Sequence, residues 1–190
     1  MIGYLSGKVI SKEDRALIVL VGGIGYFIAV TPQTVLAIKA NDTVDLFTHL
    51  VVKEDALDLY GFTDREALAL FRLLIGISGI GPKSALNVLA LADVSTLATA
   101  IASGESTYLT KVSGIGKKLA EKIVLELKEK VQHLVPADNT LRHAEGEALD
   151  ALEALGYAPR ESREVVRSLS KEYVNTQDII RKALQTLGGR

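Results

Sequence analysis

The sequence contains no cysteine and no tryptophan, and only four of its 190 residues are proline. Without cysteine the chain has no disulfide, no thiolate metal site and no cysteine nucleophile, which agrees with a reducing compartment. It also lacks a run of about 18 apolar residues, the length that a membrane-spanning helix needs. The first residues, MIGYLSGKVISKEDRA, have neither the basic nor the long apolar region of a signal peptide. We therefore predict a cytoplasmic protein that does not contact a membrane.

The net charge is only −1, which is unusual for a protein that binds nucleic acid. The charges are, however, unevenly distributed along the chain. Residues 71–130 hold eight lysines and arginines against five carboxylates, so this segment carries +3. A local excess of positive charge is where we expect contact with phosphate.

Residues 1–62 predict β-structure. Four to five short runs of Val, Ile, Leu and aromatic residues are separated by turn-forming segments such as SKEDR and KAND. Strands this short and this closely spaced favour a small barrel such as an OB-fold, with an open sheet as the alternative.

The remaining sequence predicts helices. Thr63 and Glu66 have the spacing of a capping box, which marks the start of the first helix. Residues 136–146, PADNTLRHAEG, predict a flexible linker. The predicted domains are an OB-like barrel at 1–62, a helical domain at 63–135 and a three-helix bundle at 147–190, which together make a multi-domain α+β fold. Within them the predicted helices are 64–75, 82–91, 94–102, 106–111, 117–132, one from about 147, 159–170 and 176–187.

One short segment occurs twice in the helical domain: SGIGPKSA at 78–85 and SGIGKKLA at 113–120, 35 positions later. A tight connection between two helices requires backbone angles that glycine adopts most easily. It also leaves unpaired amides at the start of the second helix, where the helix dipole favours an anion. The residues that we expect to contact phosphate in this way are Gly79, Gly81, Lys83, Ser84, Gly114, Gly116, Lys117 and Lys118.

The phosphate could belong to a nucleotide or to a nucleic acid. Residues 76–84, GISGIGPKS, come close to the P-loop pattern, but Pro82 breaks its spacing and the preceding segment is helical where a P-loop needs a strand. Two copies of L-x-x-[IV]-x-G-[IV]-G-x-[KR] are instead the helix–hairpin–helix signature, which holds the sugar–phosphate backbone without reading bases. The duplication predicts one contact for each strand of a duplex.

Three further segments complete a resemblance to the RuvA family of bacterial Holliday-junction-binding proteins. They are MIGYLSGKV at the start, VVKEDALDLYGF at 51–62 and EALDALEALGYAP at 147–159. The resemblance implies a homotetramer, or an octamer of two tetramers, that binds four-way junction DNA without a cofactor or metal and without catalysis of its own. It also implies the hexameric ATPase RuvB as a partner, with the RuvC resolvase as a further one.

The resemblance also assigns roles to particular residues. Glu54 and Asp55 resemble the acidic pin at the centre of the tetramer, where like-charge repulsion from phosphates disfavours a continuous duplex and tolerates an open junction. Lys53 beside them is expected to contact a phosphate. In the C-terminal bundle, whose Leu-Gly-Tyr turn resembles that of ubiquitin-associated domains, the expected contacts with RuvB are Leu152, Leu155, Tyr157 and Leu184, with a purely structural role as the alternative.

Two other functions remain open on the sequence alone. A repair nuclease or glycosylase subunit would also use these turns, but the helix after Gly116 offers only glutamates, at lysine-pairing spacings, and no aspartate before Asp138. A general duplex-binding scaffold with no junction preference is the second alternative. The three histidines are scattered and predict neither a zinc site nor a catalytic triad.

Overall fold

The computed structural model describes residues 1–135, 137–170, 173 and 175–187, and only the backbone of 137–143 and 160. The chain divides into two compact units, Met1–Leu134 and Val135–Arg190. The first holds the barrel and the helices with the repeated turns. Position 136 of the predicted linker lies outside the described residues. The same holds for positions 171, 172, 174 and 188–190 of the predicted three-helix bundle.

Five strands form a closed barrel in the order β1-β2-β3-β5-β4, which confirms the predicted OB-like fold. Side chains along each strand point alternately into and out of the barrel. The inward-pointing ones fill its interior, where Val9, Leu17, Val19, Ile28 and Leu46 are fully buried. The strands are β1 (Tyr4–Glu13), β2 (Ala16–Val21), β3 (Ile24–Ala29), β4 (Thr43–Val52) and β5 (Leu57–Phe62). The sequence did not predict the short helix α1 (Pro32–Ala37), which is capped by the Thr31 hydroxyl and begins with a proline.

Helix α2 (Arg65–Ile75) joins the barrel to the helical domain. Its N-cap is Asp64, whose carboxylate accepts a hydrogen bond from the Ala67 amide at 2.6 Å. This corrects the predicted capping box, in which Thr63 was the N-cap. Phe71 then docks the helix on the barrel, because its ring lies 5.2 Å from that of Tyr60 and 4.9 Å from that of Phe62.

The helices that carry the repeated turns begin where the sequence predicts. Three of them are shorter than predicted. The helix expected to reach 91 ends at Leu89, and the one expected to reach 111 ends at Leu109. The helix expected to reach 132 ends at Leu127 and is followed by a short 3₁₀ turn (Gln132–Leu134). Their bounds are α3 (Pro82–Leu89), α4 (Val94–Ala102), α5 (Ser106–Leu109) and α6 (Lys117–Leu127).

The second unit packs three helices, α7 (Ala137–Ala154), α8 (Pro159–Leu169) and α9 (Thr176–Leu187), around a small apolar core. Helix α7 therefore occupies all but the first position of the predicted linker 136–146. Periodicity placed its start near 147, but Ala144 is buried in the core, so packing extends the helix towards its N-terminus. The core contains Ala144, Ala148, Leu152, Val166, Ile179 and Ala183.

Candidate nucleic-acid interface

The two repeated turns have the same backbone structure. Ile80 donates its amide hydrogen to the Ile77 carbonyl at 3.0 Å, and Ile115 donates to Val112 at the same distance. The first turn of the following helix is closed in both copies by an equivalent bond of 3.0 Å, from Ala85 to Gly81 and from Ala120 to Gly116. Both isoleucines are buried and fix the turns to the interior.

The glycines of each turn have two different reasons to be glycine. Gly79 and Gly114 have φ of 100° and 88°, values that L-residues with a side chain rarely adopt. Gly81 and Gly116 have φ of −86° and −81°, which any residue adopts, and a Cβ atom on either would meet nothing within 4 Å. The tight turn therefore requires glycine at Gly79 and Gly114, and its backbone angles do not require glycine at Gly81 and Gly116. Open space in front of a backbone is what a closely approaching ligand needs.

The amides at the start of α3 and α6 are uncapped by side chains. Helices α2 and α4 have Asp64 and Asp93 as their N-caps, and the carboxylates of these residues accept hydrogen bonds from first-turn amides. Helices α3 and α6 begin at glycines, which have no side chain with which to do so. The positive ends of these two helices thus face solvent. The cations predicted to bind beside them, Lys83, Lys117 and Lys118, are exposed, and Ser84 is half-buried.

Lys122 connects α6 to the first turn and is not among the residues that the sequence predicts at this surface. Its ammonium donates a hydrogen bond to the Ser78 carbonyl at 3.0 Å, while also lying 3.8 Å from Glu126 one turn along α6. Leu119 lies beside Gly79, so the same helix packs against the first turn. The i,i+4 spacing of Lys122 and Glu126 in the sequence accounted for the lysine completely, and no local signal marks the longer-range contact.

The acidic dipeptide lies at the tip of the β4–β5 hairpin. The turn is closed by a 2.9 Å hydrogen bond from the Lys53 amide to the Ala56 carbonyl, which places Glu54 and Asp55 at its two central positions. Both carboxylates are exposed. The ammonium of Lys53, which was predicted to contact phosphate, lies 2.7 Å from a carboxylate oxygen of Asp58.

A cleft of about 550 Å³ separates this hairpin from the first repeated turn. Leu57 and Asp58 line it on the hairpin side, and Lys83 and Asn87 line it on the side of α3. Arg15, in the turn between β1 and β2, also lines the cleft and donates a hydrogen bond to Asn87 of α3. The acidic hairpin and the first turn are therefore neighbours on one surface of the first unit.

The four predicted partner contacts of the second unit differ in how far they are exposed. Leu152 is fully buried in the core, so it cannot contact a partner, which corrects its assignment. Tyr157 and Leu184 are partly buried and pack against that core. Leu155 is 61% exposed and precedes Gly156, whose φ of 90° ends the helix. Only Leu155 of the four therefore presents most of its side chain to solvent.

The described part of the chain offers no group of three His, Asp or Glu side chains that could hold a metal ion. Within the same residues no single helix is long and apolar enough to cross a membrane. Helices α3 and α4 together have the length and the apolar composition of a membrane span, but their axes are bent by 102° with respect to each other.

Comparison with known proteins covers the chain from end to end. Residues 1–61 match the RuvA N terminal domain, 71–129 the SAM-like helix-hairpin-helix tandem, and 143–188 the RuvA C-terminal domain. Similar curated proteins are each named Holliday junction branch migration complex subunit RuvA. A relative from Thermus thermophilus is 42% identical over 190 residues, covering 98% of this chain and all of the relative. A relative from Legionella pneumophila (strain Paris) is 38% identical over 199 residues, which cover all of this chain and all of the relative. A relative from Alkaliphilus oremlandii is 42% identical over 192 residues, which cover 98% of this chain and 99% of the relative.

Proposed function

Because the chain belongs to the RuvA family, we propose that it is the subunit of a branch migration complex that binds four-way junction DNA. The observation that carries this proposal is the pair of identically built turns in one unit, with an acidic hairpin beside the first. The role belongs to recombination and repair of DNA, and places the protein in the bacterial cytoplasm.

The two turns hold the arms of the junction through the sugar–phosphate backbone. Gly81 and Gly116 leave room for a phosphate to approach the uncapped amides of α3 and α6, and the exposed lysines supply opposite charge. Such contacts carry no sequence information, because every nucleotide has the same phosphate. Recognition of the junction must therefore come from shape and from repulsion.

The hairpin supplies the repulsion. Glu54 and Asp55 disfavour phosphates of a continuous duplex that passes over the hairpin tip, while an open junction leaves the centre free of backbone. These carboxylates act by charge alone, so the chain needs no catalytic group or cofactor. ATP hydrolysis belongs to the hexameric partner RuvB.

A homotetramer is the assembly that brings four such hairpins to one centre. Val52 and Leu57 lie opposite each other at the end of the β4–β5 ladder and are 68% and 70% exposed. Phe27 on the outside of β3 is 55% exposed. We assign these exposed apolar side chains, first of all the neighbours Val52 and Leu57 beside the hairpin tip, to contact with a second copy, since their burial favours association. An octamer and a contact with RuvC remain further proposals from family membership.

In the second unit Leu155 is the first candidate for contact with RuvB, with Tyr157 and Leu184 at the edge of the same core. An exposed leucine next to a helix end is the kind of apolar anchor around which a small interface forms.

The test neutralises the hairpin tip. The double variant Glu54→Gln, Asp55→Asn should bind linear duplex more tightly than the wild type and so lose preference for the junction. The barrel provides a matched control, because Glu13 and Asp14 form an acidic pair in the β1–β2 turn and are also exposed. If Glu13→Gln, Asp14→Asn has the same effect, the hairpin has no special role and the protein is a general duplex-binding scaffold. Cleavage of DNA by the purified chain would instead favour a repair enzyme.

A further inference from the structure

The hairpin carries a second, oppositely charged pair behind its acidic tip. Val51 lies opposite Asp58 and Val52 opposite Leu57 in the β4–β5 ladder, and the Lys53–Ala56 bond continues this register. Lys53 and Asp58 are therefore diagonal neighbours on one face of the hairpin, a spacing that long side chains reach. Their Nζ and Oδ2 atoms are 2.7 Å apart.

The ion pair also affects the titration of the lysine. The hydrogen bond to Asp58, and then the charge of Asp58, raise the pKa of Lys53 above its ordinary value. The alternation of the strands also leaves Lys53 no opposing partner of its own, since the residue opposite it is Ala56. Asp58 is half-buried and lines the same cleft as Lys83. Its ion pair therefore holds Lys53 beside the surface proposed to contact phosphates.

The pair changes what the hairpin presents to DNA. A free lysine next to Glu54 and Asp55 would attract the phosphates that those carboxylates repel. Held by Asp58, the lysine must give up a charge-assisted hydrogen bond before it can bind a phosphate. Exposed ion pairs are weak, so the pair lowers the affinity of Lys53 for a phosphate by about two- to fivefold and does not abolish it.

We propose that Asp58 is a specificity-determining positioning residue, which holds Lys53 along strand β5 so that the lysine does not attract the duplex backbone that Glu54 and Asp55 repel. The proposal rests on the proposed function, because it concerns how the same hairpin discriminates between DNA shapes. It assigns to Asp58 a role that the acidic tip alone does not explain.

The test is a double-mutant cycle of Asp58→Asn and Lys53→Gln, with fluorescence anisotropy on a four-way junction and on a linear duplex over a range of salt concentrations. Asp58→Asn should tighten duplex binding about two- to fivefold and lower the junction-to-duplex preference by a similar factor. It should also steepen the salt dependence of duplex binding, with a slope larger by about 0.9 for one added phosphate contact. In the Lys53→Gln background the same change should have no effect.

Two further variants separate positioning from simple loss of charge. Asp58→Glu keeps the carboxylate and should bind as the wild type does. Asp14→Asn removes one exposed carboxylate from another hairpin and should leave the salt slope unchanged. The proposal is overturned if Asp58→Asn acts equally in both Lys53 backgrounds, or if Asp14→Asn reproduces it. Should the wild type show no junction preference, the proposed function fails, and the duplex salt slope still decides whether Asp58 withholds Lys53.

Discussion

The ammonium of Lys122 donates a hydrogen bond to the backbone carbonyl of Ser78 at 3.0 Å and so ties the helix after the second turn to the first turn. The Ser78 carbonyl and the Gly79 amide belong to one planar peptide, in which they point in opposite directions. Holding the carbonyl against α6 therefore turns the amide away from it. The two turns are held in one arrangement by this bond as well as by the contact of Leu119 with Gly79.

Replacing Lys122 should weaken DNA binding more than the loss of one charge explains. We expect Lys122→Met to lower duplex affinity about fivefold, because a net hydrogen bond contributes about 1 kcal/mol to the arrangement of the turns. Lys130→Met is the matched control, since Lys130 is an exposed lysine just beyond α6. Titrations at fixed salt compare the two. Equal losses in both variants would mean that Lys122 acts only through its charge.

The glycines of the turns should respond in two different ways. Gly79→Ala should lower the free energy of unfolding by about 1 kcal/mol, because it places a side chain at φ of 100°. Gly81→Ala should change it by less than about 0.5 kcal/mol, because the poorer helix cap is offset by the smaller entropy lost on folding. It should nevertheless weaken DNA binding, since the new methyl group occupies the approach of the phosphate.

Urea denaturation and DNA titration of both variants, with Gly116→Ala as the copy of Gly81→Ala, check this division. Normal DNA binding by Gly81→Ala would show that the phosphate does not come close to this amide.

The cap of α4 should make stability depend on pH. Asp93 accepts hydrogen bonds from the Ser95 hydroxyl at 2.7 Å and the Thr96 amide at 2.9 Å, and these lower its pKa to about 2. A carboxyl whose folded pKa lies below its unfolded value of about 3.9 stabilises the fold above that value, and this contribution is lost as the pH falls towards 2. Asp93→Ala should therefore cost about 1 kcal/mol at pH 7 and less near pH 2.5.

Denaturation of the wild type and the variant at both pH values measures this difference. Asp14→Ala removes a carboxylate from an exposed turn and serves as the control. A destabilisation by Asp93→Ala that stays the same at both pH values would contradict the assignment of the low pKa to this cap.

Two leucines near the end of α7, Leu152 within the helix and Leu155 just beyond it, should separate folding from partner binding. Leu152→Ala should destabilise the second unit by about 2–5 kcal/mol, because Leu152 is fully buried in its core. Leu155→Ala should change stability by less than about 0.5 kcal/mol, because this side chain is 61% exposed, yet weaken binding to RuvB. Denaturation curves and a binding titration with the hexameric ATPase measure both. Unchanged affinity of Leu155→Ala for RuvB would remove Leu155 from the interface.

The sequence predicted those parts of the fold that local signals determine. The barrel follows from alternating apolar residues between turn-forming segments, and helices α3 and α6 begin where glycine and proline or lysine mark their starts. Where two signals compete, sequence alone failed. Thr63 and Asp64 are both good caps, and only the structure places Asp64 at the N-cap.

Predictions that depend on tertiary contacts were beyond the sequence. The stripe Leu149, Leu152, Leu155 is apolar at helical spacing, but only packing decides that Leu152 faces the core and Leu155 faces solvent. The extension of α7 beyond the predicted start near 147 accompanies burial of Ala144 in the core, which is a tertiary contact. The pair of Lys53 and Asp58 becomes visible only when the hairpin register is known.

The most direct test of the account is a competition at a fixed, physiological salt concentration. A labelled four-way junction bound to the protein is challenged with an excess of unlabelled linear duplex of the same sequence. If the hairpin and the paired turns recognise shape, the junction stays bound against a large mass excess of duplex. If duplex displaces it in proportion to its length, the turns are general backbone contacts and the account of the acidic hairpin is contradicted.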